Sequence, residues 1–163
     1  MTKQVAVERL SVVSSKPFSE ILKVIDAAIG HPDVRELQKT MAAAKTYAEM
    51  ESAVHKAVGP TDLMEFMRFN LGEVIGKGRD GDTPKILRLL VGNPLIMRKM
   101  AELVPDAGSY APVTLLIDER ADGVHLSYDK MASQLAPYKN SEALKVAEDL
   151  DLKIETLLAK AAN

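Results

Sequence analysis

Residues 4 to 13, QVAVERLSVV, alternate apolar with polar positions and are rich in Val, which predicts a first strand with a phase slip between Val7 and Leu10. Phe18, Ile21, Leu22, Ile25, Ala28 and Ile29 then recur at threes and fours. That stripe predicts a helix capped by Ser15, with Pro17 in its first turn and Gly30 as its stop. Val34, Leu37, Met41, Ala44 and Ala48, extended by Val54 and Val58, predict one long helix or a broken pair over 33–58. Leu63 to Leu71 reads as a second strand, apolar on both faces and therefore central. A third strand follows from Lys85 to Val91, and Asn93-Pro94 opens a helix to about Val104, broken by Pro105 and Gly108. Val113 to Asp118 and Val124 to Tyr128 form a hairpin turned by Asp122-Gly123, with Val124, Leu126 and Tyr128 inward. Asp129 is expected to cap a short helix through Leu135, and Ser141 a long last one. On that last helix Ala143, Ala147, Leu150, Ile154, Leu157 and Ala161 make a narrow seam at alternating 4,3 spacing. The seam packs either on the sheet or on another subunit, and the second makes it a candidate oligomer contact.

Consecutive strands occur twice without a crossover helix, so the order of elements predicts an α+β fold. The expected architecture is a two-layer sandwich, a largely antiparallel sheet with helices packed on one face, in a single domain over 1–163. Composition is that of a globular chain, with 47% apolar and 27% charged residues. With no Cys, disulfides, iron–sulfur clusters and thiolate zinc sites are excluded. Glu8 and Arg9 interrupt the place where an export signal needs an apolar core, so a cytoplasmic location is expected. The apolar runs are too short for a membrane span. Basic and acidic residues number 21 and 23 and are spread along the chain, and aromatics are 4%, so nucleic acid is not an expected partner.

Chemistry is sparse in this pattern. His31, His55 and His125 lack metal-ligand spacing, and neither a metal nor a cofactor is expected. The methionines, including Met41, Met97 and Met100, read as core filler in a chain short of aromatics. The glycine-rich run from Gly76 to Pro84 lacks phosphate-loop spacing and reads as a mobile connection, or as a basic flap carrying Lys77 and Arg79 over an anion. Gly92-Asn93-Pro94 is explained as a turn, a cap and a helix start. Arg98 and Lys99 follow early in that helix and oppose its dipole by about 0.3–1 kcal/mol, which a carboxylate or a bound anion would relieve.

"PFSEILKVIDAAIG" at 17–30, "LLVGNPLIMRKM" at 89–100 and "APVTLLIDERADGVHLSYDKMASQL" at 111–135 together resemble the domain of unknown function 302 family. The resemblance implies a compact α+β sandwich with an antiparallel sheet and often a dimer. Against that pattern, 31–60 reads as a helical insertion and 139–163 as a C-terminal helical extension, and Asn70-Leu71 stands where the family usually has an Asp-His pair. The family brings no established activity. The expected function is a homodimeric small-ligand binding or regulatory module, with a small ligand, an anion among the candidates, between the open sheet face and the Gly92 corner. Asn93 and the amides of Leu95 and Ile96 would donate, Arg98 or Lys99 would supply charge, and Tyr128 with Asn70 would line the wall. The alternatives are an interaction domain using the inserted and C-terminal helices, and an enzyme using Tyr128, Asp129 or His125 in acid–base roles.

Overall fold

In the computed structural model, which describes residues 2–163, the chain runs β1 (Arg9–Ser14), α1 (Phe18–Ala28), α2 (Val34–Ala43), α3 (Tyr47–Ala57), β2 (Met64–Asn70), α4 (Leu71–Gly76), β3 (Ile86–Gly92), α5 (Pro94–Ala101), β4 (Val113–Arg120), β5 (Gly123–Asp129), α6 (Met131–Leu135) and α7 (Ser141–Ala162). The strands form one antiparallel sheet in the order β1-β5-β4-β3-β2. This is the α+β arrangement expected. Period-two alternation sends Leu87, Leu89, Leu115, Ile117, Leu126 and Tyr128 to one face, where they pack with Ile21 and Ile25 of α1, Met100 of α5 and the buried side of α7. α2 and α3 are the broken-pair outcome, each with its own cap: Asp33 accepts from two first-turn amides and Thr46 from Glu49. Leu37 and Val54 from this pair join Met64 and Leu95 in a second, smaller cluster.

Several local expectations are corrected. β1 begins only at Arg9, and α1 has no side-chain cap, because Ser14 rather than Ser15 is engaged: its hydroxyl accepts from Lys16 N and donates to Ala162 O. β2 lies at the sheet edge, not at its centre. Its apolar residues reflect a bulge between Glu65 and Met67 and the cluster with α2 and α3, while Met67 and Phe69 stay exposed. Leu71–Gly76, not foreseen, is helical, opened by Asn70, whose Oδ1 accepts from Glu73 N and whose Nδ2 donates to the Glu73 carboxylate. The hairpin turn is Ala121-Asp122, since Arg120 pairs with Gly123, whose φ of 134° suits only glycine. Asn140, not Ser141, caps α7.

The α7 seam has an intramolecular answer. Ala143, Ala147, Leu150, Ile154, Leu157 and Ala161 are all buried in the chain's own core, so the stripe is not a free surface for another subunit. Among the described residues no helix is long and apolar enough to cross a membrane.

Candidate functional site

The corner after β3 borders a cavity of about 170 Å³. Its walls come from five places in the chain: Met41 of α2, Phe66 of β2, Ile96, Met97 and Met100 of α5, Ala111 to Val113 before and in β4, and Leu150 of α7. Gly92 keeps this space open, because a Cβ there would lie 3.3 Å from Pro112 Cβ and 3.6 Å from Phe66 Cε2. Asn93 carries the one polar side chain in the lining, and its groups are committed. Its Oδ1 accepts from Leu95 N at 2.8 Å, and its Nδ2 donates to both the carbonyl and the carboxylate of Asp62 at 3.0 Å. Asp62 holds a left-handed φ of 62°, so the Asn93 fork fastens a loop residue that a side chain ordinarily disfavours. What remains facing the cavity is hydrocarbon and thioether, which suits an apolar guest and offers little to an anion.

The structure brings together only part of the sequence-derived set. Gly92, Asn93 and Ile96 line the cavity, with Leu95 buried beside them. Arg98 does not line it: its guanidinium lies 4.4 Å from the Tyr47 ring centroid and its Nε donates to Glu102 at 2.6 Å. The helix ends at Ala101, short of Val104, so Arg98 and Lys99 stand in its last turn, where cations suit the dipole; the expected opposition is corrected, and no anion is needed to relieve it. Lys99 is exposed and also outside the cavity. Asn70 is spent on capping α4 at the opposite end of β2, since Met64 pairs with Gly92 but Asn70 with Leu87. Lys77 and Arg79 follow α4 at that far end too, and the seven-residue length of β3, about 20 Å, separates them from the corner. They form no flap over it.

Tyr128 is turned into the core, away from the corner. Its hydroxyl donates to Asp151 Oδ1 at 2.6 Å, and the same carboxylate accepts from Met131 N at 2.8 Å and Ala132 N at 3.1 Å. Asp151 thus caps α6 from across the chain, the task expected of Asp129. Asp129 instead grips Arg9 through two hydrogen bonds across the β1–β5 pair. Burial pushes the Tyr128 hydroxyl and the Asp151 carboxyl both upward, the tyrosine further because it faces a carboxylate. The hydrogen bond from Arg9 holds Asp129 below the ordinary carboxylate range. His125 pairs with Asp122 at 2.8 Å beside the hairpin turn, and that bond lowers Asp122. Tyr128 faces the helices while His125 and Asp129 alternate to the other side of β5, four residues apart, so the three do not converge.

Sequence reasoning missed Met41, Phe66 and Pro112 as cavity walls and Asp151 as a buried acceptor. For Asp151 a signal existed: it sits among Ala147, Leu150 and Ile154 on the apolar side of α7, where an acid needs partners. For the cavity there was none, because its walls are remote in the chain.

No curated protein matches the chain. An uncharacterized conserved DUF302 protein from Bacillus stearothermophilus, known from its crystal structure, superposes with a TM-score of 0.64 over 95% of this chain and 98% of that one. At 11% identity that likeness speaks for the fold alone. The family described as "Domain of unknown function DUF302" matches residues 37–161. That range takes in most of the helical stretch 31–60 and of the C-terminal stretch 139–163, and leaves out 17–30. With most of its length matched, and with the sheet and its helical layer in place, the chain belongs to the DUF302 family.

Proposed function

We propose that the chain is a binding module for a small apolar ligand, or the apolar end of a larger one, held in the corner cavity between β3, α5 and the Pro112 loop. The observation that carries this reading is a cavity of about 170 Å³ whose one polar side chain, Asn93, has its hydrogen bonds already made. Apolar cavities near 150 Å³ take guests such as benzene. Binding would stabilise the folded chain by mass action, so benzene and indole should raise Tm in a concentration-dependent way, while acetate and inorganic phosphate should not. Met97→Trp, which fills the cavity, should abolish the rise. An unchanged Tm with the aromatic probes, or an equal rise in the Met97→Trp variant, would reject the reading.

A second observation favours self-association. Met67, Phe69, Ile86, Leu90 and Leu116 lie on the sheet face that the helices leave open, and none belongs to either core cluster. Their three strands, about 4.8 Å apart, with three outward rows about 7 Å apart offer roughly 300 Å² per copy. Two copies would bury about 600 Å², the size of a weak, transient contact. Phe69, with Arg88 5.9 Å from its ring centroid, supplies the anchor types that dominate such interfaces. The dimer expected from the family resemblance is thus proposed on this face instead of the α7 seam.

A further inference from the structure

A second concavity, about 770 Å³, runs between α1 and α7 and is built differently from the corner cavity. The two helices are antiparallel neighbours, pinned where Ser14 Oγ donates to Ala162 O, so the start of α1 lies beside the end of α7. Lys23 on α1 and Lys160 on α7 therefore stand on opposite walls toward the same end. Among the described residues neither makes an ion pair, although Lys153 at the other end meets Asp62 at 3.5 Å. One end of the groove is cationic and the other is neutralised.

The floor between these ends is apolar. Val24, Ala28 and Leu157 line it, and Leu152 stands 64% exposed at the neutral end. The two threonines there have given their hydroxyl protons to main-chain carbonyls, Thr61 to Ala28 and Thr156 to Leu152. From Lys160 to Leu152 the rise along α7 is about 12 Å, close to the length of an extended ten-carbon chain. A partner helix with acidic flanks would call for cations along both rims; charge confined to one end calls for a single anionic head.

We propose that this groove binds a single-chain carboxylate amphiphile, its headgroup between Lys23 and Lys160 and its alkyl chain along Val24 and Leu157 toward Leu152. The site is separate from the corner cavity, so the two readings fail independently. Titration calorimetry with dodecanoate below its micellar concentration is the test. Binding to the wild-type chain should occur at one site, and Lys23→Gln/Lys160→Gln should weaken it at least tenfold. Leu152→Asp, also a surface change, should weaken it as well. Met97→Trp should leave it unchanged, and acetate or dodecyltrimethylammonium should give no comparable heat. The proposal is overturned if dodecanoate does not bind, if the double lysine variant binds it equally, if the cationic amphiphile binds as well, or if Met97→Trp abolishes binding. It is overturned too if a short amphipathic Leu/Glu peptide binds the groove and dodecanoate does not.

Discussion

The two faces of the sheet show how differently one alternating pattern can be used. On the covered face, Leu87, Leu89, Leu115, Ile117, Leu126 and Tyr128 meet helices and are almost wholly removed from water. The open face is divided. Its β2–β4 half carries Met67, Phe69, Ile86, Leu90 and Leu116 around Arg88, whereas its β5–β1 half carries Ser127, Ser11, His125 and the Arg9–Asp129 pair, together with the exposed Val13. An open antiparallel face is ordinarily polar throughout. The difference teaches that burial on one face is settled by the chain itself, while the apolar half of the other face stays open in the single chain.

The largest test of this contrast is Leu126→Ala, which opens a void in the covered layer and should cost about 2–5 kcal/mol in chemical denaturation. Next, Asp151→Ala strands the Tyr128 hydroxyl and the Met131 and Ala132 amides in the core, an expected loss of about 1–3 kcal/mol. Asp151→Asn keeps an acceptor and should recover part of it. On the open face, Leu116→Glu should cost the monomer only about 0.5–1 kcal/mol. It should nevertheless abolish dimer in light scattering and remove the dependence of Tm on protein concentration. A Leu116→Glu chain that still dimerises would end the claim that this half of the face is the interface.

The smallest effect is electrostatic. Arg9 holds Asp129 below its ordinary value, so the pair adds stability above the unfolded carboxylate pKa of about 3.9 and loses it as pH falls through the lowered folded value. Arg9→Ala should therefore lower Tm slightly at neutral pH, and its gap from wild type should close in acid. Asp151 runs the other way. Its folded value is raised by burial, so the cost of its charge is felt above that value and is relieved as pH falls. Carboxyl-carbon titration by NMR should place Asp151 above 3.9 and Asp129 below it.

Much of the fold was legible because period reports burial: the β4–β5 hairpin, the α1 stripe and the α7 seam follow directly from spacing. Errors fell where a local rule met a distant partner. Asp129 looked like a cap by position, yet Arg9 across the sheet claimed it and Asp151 took the cap from α7. Leu63 to Leu71 looked central because apolar residues marked both faces, yet the bulge and the α2–α3 cluster use them at an edge. The candidate site was half legible. Gly92, Asn93 and Ile96 do border a cavity, but its apolar character depends on Met41, Phe66 and Leu150, which no local pattern gathers.

By itself the sequence determined the alternation of layers, the turn and cap at Gly92-Asn93-Pro94, and membership in a family, since these depend on neighbours in the chain. Only the tertiary structure decided that Asn93 is tied to Asp62, that Arg98 answers to Glu102 and Tyr47, and that the corner opens onto hydrocarbon. The physical reason is that hydrogen-bond capacity is finite and shared. Which partner consumes it depends on which side chains the fold brings within about 3 Å.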